Sequence, residues 1–130
     1  MSDYYHAVVW IDHHQAKVFH FGREGAEKLV IHPDKPSRQV HHKANSIGSG
    51  HSKADHEFLH EVAMAIADAG SVLITGPSTA KTELMKHLSG HDPKVFKLVR
   101  AVETVDHPSD GQLLAYARKY FKADDRMHTL

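Results

Sequence analysis

Residues Ser71–Leu88, SVLITGPSTAKTELMKHL, change periodicity partway through. Ser71 to Thr75 is a short apolar run with β-branched residues, which predicts a buried strand. Gly76-Pro77-Ser78 is a turn. Thr79 to Leu88 then reads as a helix, with Ser78 or Thr79 as its N-cap. A buried strand that runs through a tight turn into a helix is half of a β-α-β unit, so a parallel portion of sheet is expected here, with right-handed crossovers.

The flanks extend this pattern in both directions. Upstream, Ser52 or Asp55 can cap a helix running to about Ala69, with Gly70 as its C′ residue. Phe58, Val62, Ala65, Ile66 and Ala69 share one face of that helix, and Leu59 and Ala63 lie on its margin. Downstream, a strand is expected at Leu98 to Glu103. Pro108-Ser109-Asp110 then starts a last helix with Leu113, Leu114, Ala117, Tyr120 and Phe121 on its apolar side, and a polar, frayed tail is expected from Lys122.

The first thirty residues behave differently. His6 to Ile11 (HAVVWI) is a buried strand and Asp12 to Gln15 a turn. Ala16 to Phe21 alternates, with Ala16, Val18 and His20 on one face and Lys17, Phe19 and Phe21 on the other. Gly22 to Gly25 is a second turn before a strand at Glu27 to His32. Three strands joined by tight connections make an antiparallel meander. The expected fold class is α/β, in the order βββ-αβαβα: a five-stranded mixed sheet with helices on both faces, forming a single domain over residues 1–130.

Composition narrows the function classes. Hydrophobic residues make up 41% and charged residues 25% of the 130, a globular balance rather than a disordered one. With no cysteine, disulfides, thiolate nucleophiles and Cys-based zinc sites are all excluded, which fits a reducing, cytoplasmic setting. The N-terminus lacks the basic and apolar regions of a signal peptide, and no apolar run approaches the roughly 20 residues of a membrane span. Sixteen basic residues balance sixteen acidic ones, so any contact with nucleic acid has to be local. The 14 histidines are the compositional oddity, because they titrate close to neutral pH.

Residues 33–52 lose apolar periodicity and read as a long polar loop, which in a small domain is expected to be either functional or disordered. The loop and the helix start beyond it hold the one concentrated basic region: Lys35, Arg38, His41, His42, Lys43, His51 and Lys53. Such a region suits phosphate contacts with RNA, or else it is a solvated loop.

Two further patterns carry chemistry. His56-Glu57-Phe58-Leu59-His60 spells H-E-x-x-H, whose histidines at i and i+4 can chelate zinc while the glutamate polarises a bound water. Helical geometry, however, turns His56 and His60 away from the Phe58/Val62 face, towards solvent. A third ligand would also be needed, and His51 and Asp55 are the near candidates. The stretch from Gly76 to Thr82 imitates a phosphate-binding loop, but it is one residue short, has Ala80 in place of a glycine, and loses an N–H at Pro77. It reads as a strand-to-helix turn. Asp12 is read as a turn residue, and Asp12, Asp106 and Asp110 do not define a nuclease carboxylate cluster.

Three stretches resemble the middle domain of the archaeo-eukaryotic class-one release factors and of Pelota, their ribosome-rescue relatives. VVWIDHHQAKVFHF (Val8 to Phe21) is similar to the family's opening strand pair with its acidic turn. VLITGPSTAKTELMKHL (Val72 to Leu88) resembles its strand–Gly-Pro–Lys–helix segment. GSGHSKADHEFLHEVA (Gly48 to Ala63) stands where release factors carry the Gly-Gly-Gln loop and the helix after it. The resemblance covers nearly the whole chain and implies a three-layer ribonuclease-H-like fold, standing alone without the family's codon-reading and C-terminal domains.

In release factors, Gly-Gly-Gln helps water attack the peptidyl-tRNA ester, whereas here the matching residues are Ser49, Gly50 and His51. Pelota-type proteins lack the tripeptide and rescue ribosomes without hydrolysing the ester. The resemblance therefore implies a non-hydrolytic, ribosome- or tRNA-associated role. Lys35, Arg38, Lys43, Gly48, Gly50, His51 and Lys53 would be the RNA-contacting set, with His51 as the one candidate for ester chemistry. No cofactor is expected. Two alternatives stay open: a zinc-dependent hydrolase using His56, Glu57 and His60, and a non-catalytic interaction domain.

Overall fold

The computed structural model describes residues 4–33 and 53–128. Strands β1 (His6–Ile11), β2 (Ala16–Phe21) and β3 (Ala26–Ile31) come first. They are followed by α1 (Lys53–Ile66), β4 (Ser71–Gly76), α2 (Ala80–His91), a single turn α3 (Pro93–Phe96), β5 (Val99–Thr104) and α4 (Asp110–His128). The strands form one mixed sheet in the order β3-β2-β1-β4-β5. β1 pairs antiparallel with β2, and β2 with β3. β4 lies parallel to both β1 and β5. The meander and the parallel half expected from sequence thus meet at β1.

Strand alternation divides the core into two layers. Ala7, Val9, Ile11, Ala16, Val18, Val72 and Ile74 face one side, against Phe58, Leu59, Val62, Ala63 and Ile66 of α1 and Leu84 and Leu88 of α2. Val8, Trp10, Phe19, Phe21 and Leu73 face the other side, against Leu113, Ala117 and Phe121 of α4. This is the three-layer arrangement, and β2 splits its two faces as its alternation predicted. Full burial of one such aliphatic or aromatic side chain stabilises the fold by about 1.5–3 kcal/mol. Two polar groups in these layers are partnered: the Trp10 indole N–H donates to the Asp106 carbonyl at 2.7 Å, and the Thr75 hydroxyl donates to the Val9 carbonyl at 2.8 Å.

Several boundaries depart from the sequence reading. Leu59 and Ala63, expected on the margin of α1, are core, while Ala65 is only half-buried. α1 ends at Ile66, and Gly70 is no helix cap: its N–H donates to the Tyr5 carbonyl at 2.7 Å, at the entry to β4. α2 runs to His91, and Pro93 opens the unforeseen turn α3. Proline fits there because the first turn of a helix has no use for its missing N–H. The last helix continues through the polar tail to His128.

Candidate functional site

Sequence pointed to the approach to α1 and its first turns. Lys35, Arg38, Lys43, Gly48, Gly50 and His51 lie outside the described residues, and of Lys53 only its place at the start of α1 is described. The H-E-x-x-H histidines are fully placed. His56 and His60 are exposed, as the helical geometry requires. They are not isolated, because α2 packs beside α1 and presents His87 to them. The His56 and His60 rings each lie 6.4 Å from the His87 ring, and His91 lies 4.8 Å from it.

The pattern of α2 explains this meeting. Ala80, Leu84, His87 and Leu88 form its buried stripe, so His87 takes a position that helical periodicity reserves for an apolar residue. It is 9% exposed, and neither ring nitrogen has a hydrogen-bond partner among the described residues. Asp92, at the junction of α2 and α3, brings its Oδ2 to 3.6 Å from His87 Nε2, beyond ordinary hydrogen-bond reach. Ligand atoms of His60, His87 and Asp92 all lie within 4.8 Å of one another, and no other such group of three occurs among the described residues. His56 is not a member of it. Sequence reasoning singled out His60 but neither His87 nor Asp92, the second of which lies beyond the expected helix end at Leu88. The signal was the His87/His91 pair, spaced i, i+4 like His56/His60.

Burial holds the His87 imidazole below its ordinary value of 6.5, and His91, His56 and His60 push in the same direction against the opposing pull of Asp92. The folded state therefore takes up this proton less readily than the unfolded chain. Stability from this site is complete above about pH 6.5 and is lost as pH falls through and below that value. In chelator-treated protein, the urea midpoint should drop between pH 7.5 and pH 5, and His87→Gln should flatten that dependence. An equal pH dependence in the variant would assign it to other histidines.

The remaining candidates resolve into structural roles. The Asp12 carboxylate accepts the backbone N–H groups of His14 at 2.8 Å and Gln15 at 2.9 Å, closing the first hairpin. Asp110 accepts from Lys28 Nζ at 2.7 Å, with Lys17 at 3.6 Å, and that hydrogen bond from Lys28 holds its carboxyl below the usual range. In the phosphate-loop imitation, Lys81 Nζ donates to the Ser78 carbonyl at 2.7 Å. Thr79 is the N-cap of α2, but its hydroxyl makes no capping bond.

No protein-family model matches the chain, and no curated protein matches its sequence. Solved structures do resemble it. Pelota of Archaeoglobus fulgidus superposes with a TM-score of 0.61 at 18% identity, over 88% of this chain and 30% of that one. The archaeal translation termination factor aRF1 gives 0.60 at 16% identity, over 94% of this chain and 38% of that one. Saccharomyces cerevisiae Dom34, described as a translation termination-like factor involved in RNA quality control and interacting with Hbs1, gives 0.60 at 11% identity, over 95% and 36%. The chain thus spans 30–38% of the length of these proteins, and over nearly all its own length it has the fold of the Pelota/aRF1-like domain.

Proposed function

We propose that the chain is a cytoplasmic, translation-associated module that binds the ribosome or tRNA in a Pelota-like rescue or regulatory role. The observation that carries this reading is the likeness to the Pelota, aRF1 and Dom34 fold over 88–95% of the chain. Lys35, Arg38, Lys43 and Lys53 supply phosphate contacts, and Gly48, Gly50 and His51, which the sequence resemblance matches to the Gly-Gly-Gln loop of release factors, complete the contacting set. A glutamine amide and a tight Gly-Gly backbone are both replaced in Ser49-Gly50-His51, so the module binds without ester hydrolysis. Because the chain carries no net charge, this contact is local and depends strongly on salt.

Sedimentation with purified ribosomes tests the proposal. The chain is expected in the ribosomal pellet at low salt and in the supernatant as salt rises. A chain that stays in the supernatant at every salt concentration would refute it. A zinc hydrolase built on His56, Glu57 and His60 is less favoured, because the convergent group contains just one of those two histidines.

A further inference from the structure

Buried polar atoms without partners are costly, and this fold gathers three of them at one point. Both His87 ring nitrogens and Asp92 Oδ2 are buried and make no hydrogen bond among the described residues. A buried polar group left unsatisfied loses its hydration with nothing in return. Asp92 also forgoes the ordinary task of an aspartate at its position: it is the N-cap of α3, yet its carboxylate makes no capping bond. Instead the carboxylate turns towards His87. It does so at the C-terminal end of α2, where the helix dipole favours a cation and disfavours a lone carboxylate.

We propose that His60, His87 and Asp92 bind one divalent transition-metal ion of the zinc class, which ties α1 to the α2–α3 junction. Two imidazoles and one carboxylate are a borderline donor set suited to zinc. Around a tetrahedral zinc with bonds of about 2.0–2.2 Å, ligand atoms sit roughly 3.4 Å apart. The His87 Nε2 to Asp92 Oδ2 separation of 3.6 Å is already close to that, and all three ligand atoms fall within 4.8 Å. His60 is exposed, and a side-chain adjustment there completes the set. Water takes the fourth position. The H-E-x-x-H spelling is thereby divided: His60 is a ligand through its contact with α2, while His56 and Glu57 are not.

The site is independent of the ribosome reading and is tested on tag-free protein stripped with chelator. Zinc chloride should bind with a stoichiometry of one per chain and raise the melting temperature by about 5 °C. Cobalt(II) should give the intense visible absorption of a tetrahedral site. His60→Ala, a change at an exposed position, and Asp92→Asn should each weaken zinc binding at least tenfold, whereas His56→Ala should leave it within about twofold. The proposal is overturned if no stoichiometric zinc binds, or if His60→Ala and Asp92→Asn bind as the parent does. Equal loss in His56→Ala also overturns it, since that would place the ion on the H-E-x-x-H pair.

Discussion

Gly76→Val should destabilise the fold by about 2–3 kcal/mol, lowering the melting temperature by roughly 10 °C. Gly76 closes β4 where that strand runs parallel to β1, and a Cβ placed there would press on the backbone carbonyl oxygen of Ile11. A flexible side chain could move aside, but a carbonyl held in the central pair of the sheet cannot. Gly90 provides the opposite sign. It lies in α2 with open space around any added Cβ, so Gly90→Ala should gain about 0.5 kcal/mol from helix propensity and lower unfolded-state entropy. Thermal melts of the two variants beside the parent check both effects. If Gly76→Val melted with the parent, the close approach of β4 to β1 would be wrong. The same contact accounts for the glycine in the phosphate-loop imitation through strand packing, with no phosphate required.

The second large effect concerns the basic loop. If Lys35, Arg38, Lys43 and Lys53 each contact one phosphate, log K should fall with log salt at a slope of about −0.7 per contact on a single strand. Four contacts then remove roughly 50-fold of affinity between ~50 and ~200 mM salt. A variant with all four replaced by Ala should lose that slope together with most of its binding to ribosomes. Each of these residues lies where sequence reads a polar loop or the start of α1, so the variant should melt within a few degrees of the parent. A variant that sediments with the parent's affinity and the parent's salt slope would remove these four residues from the interface.

Much of the architecture was legible because it rests on periodicity. The alternation of Ala16 to Phe21 placed Val18 on one face and Phe19 and Phe21 on the other, and the two core layers follow that division. SVLIT read as a buried strand and became the parallel neighbour of β1. Helix ends were less legible, because they are set by tertiary contacts. Gly70 looked like a helix terminator, but it serves the close passage of Tyr5. The polar tail after Lys122 looked frayed, yet it continues α4.

The histidine cluster shows why sites are harder to read than folds. His56 and His60 announced themselves by spacing within one helix. Their partners arrive from α2 and the residue after it, and only the packing of α1 beside α2 joins the two. Burial of His87 was hidden by the same cause. A histidine on a helix reads as a surface residue until the stripe of Ala80, Leu84 and Leu88 around it is known to face the core.

The most direct test of the central claim is a pull-down with this chain from native lysate, at low salt, with and without ribonuclease. Ribosomal proteins and ribosomal RNA should be captured together, and ribonuclease should release them. Capture of no ribosomal component would contradict it. So would a protein partner whose recovery is indifferent to ribonuclease, because that outcome describes an interaction domain that has kept the fold and left the ribosome.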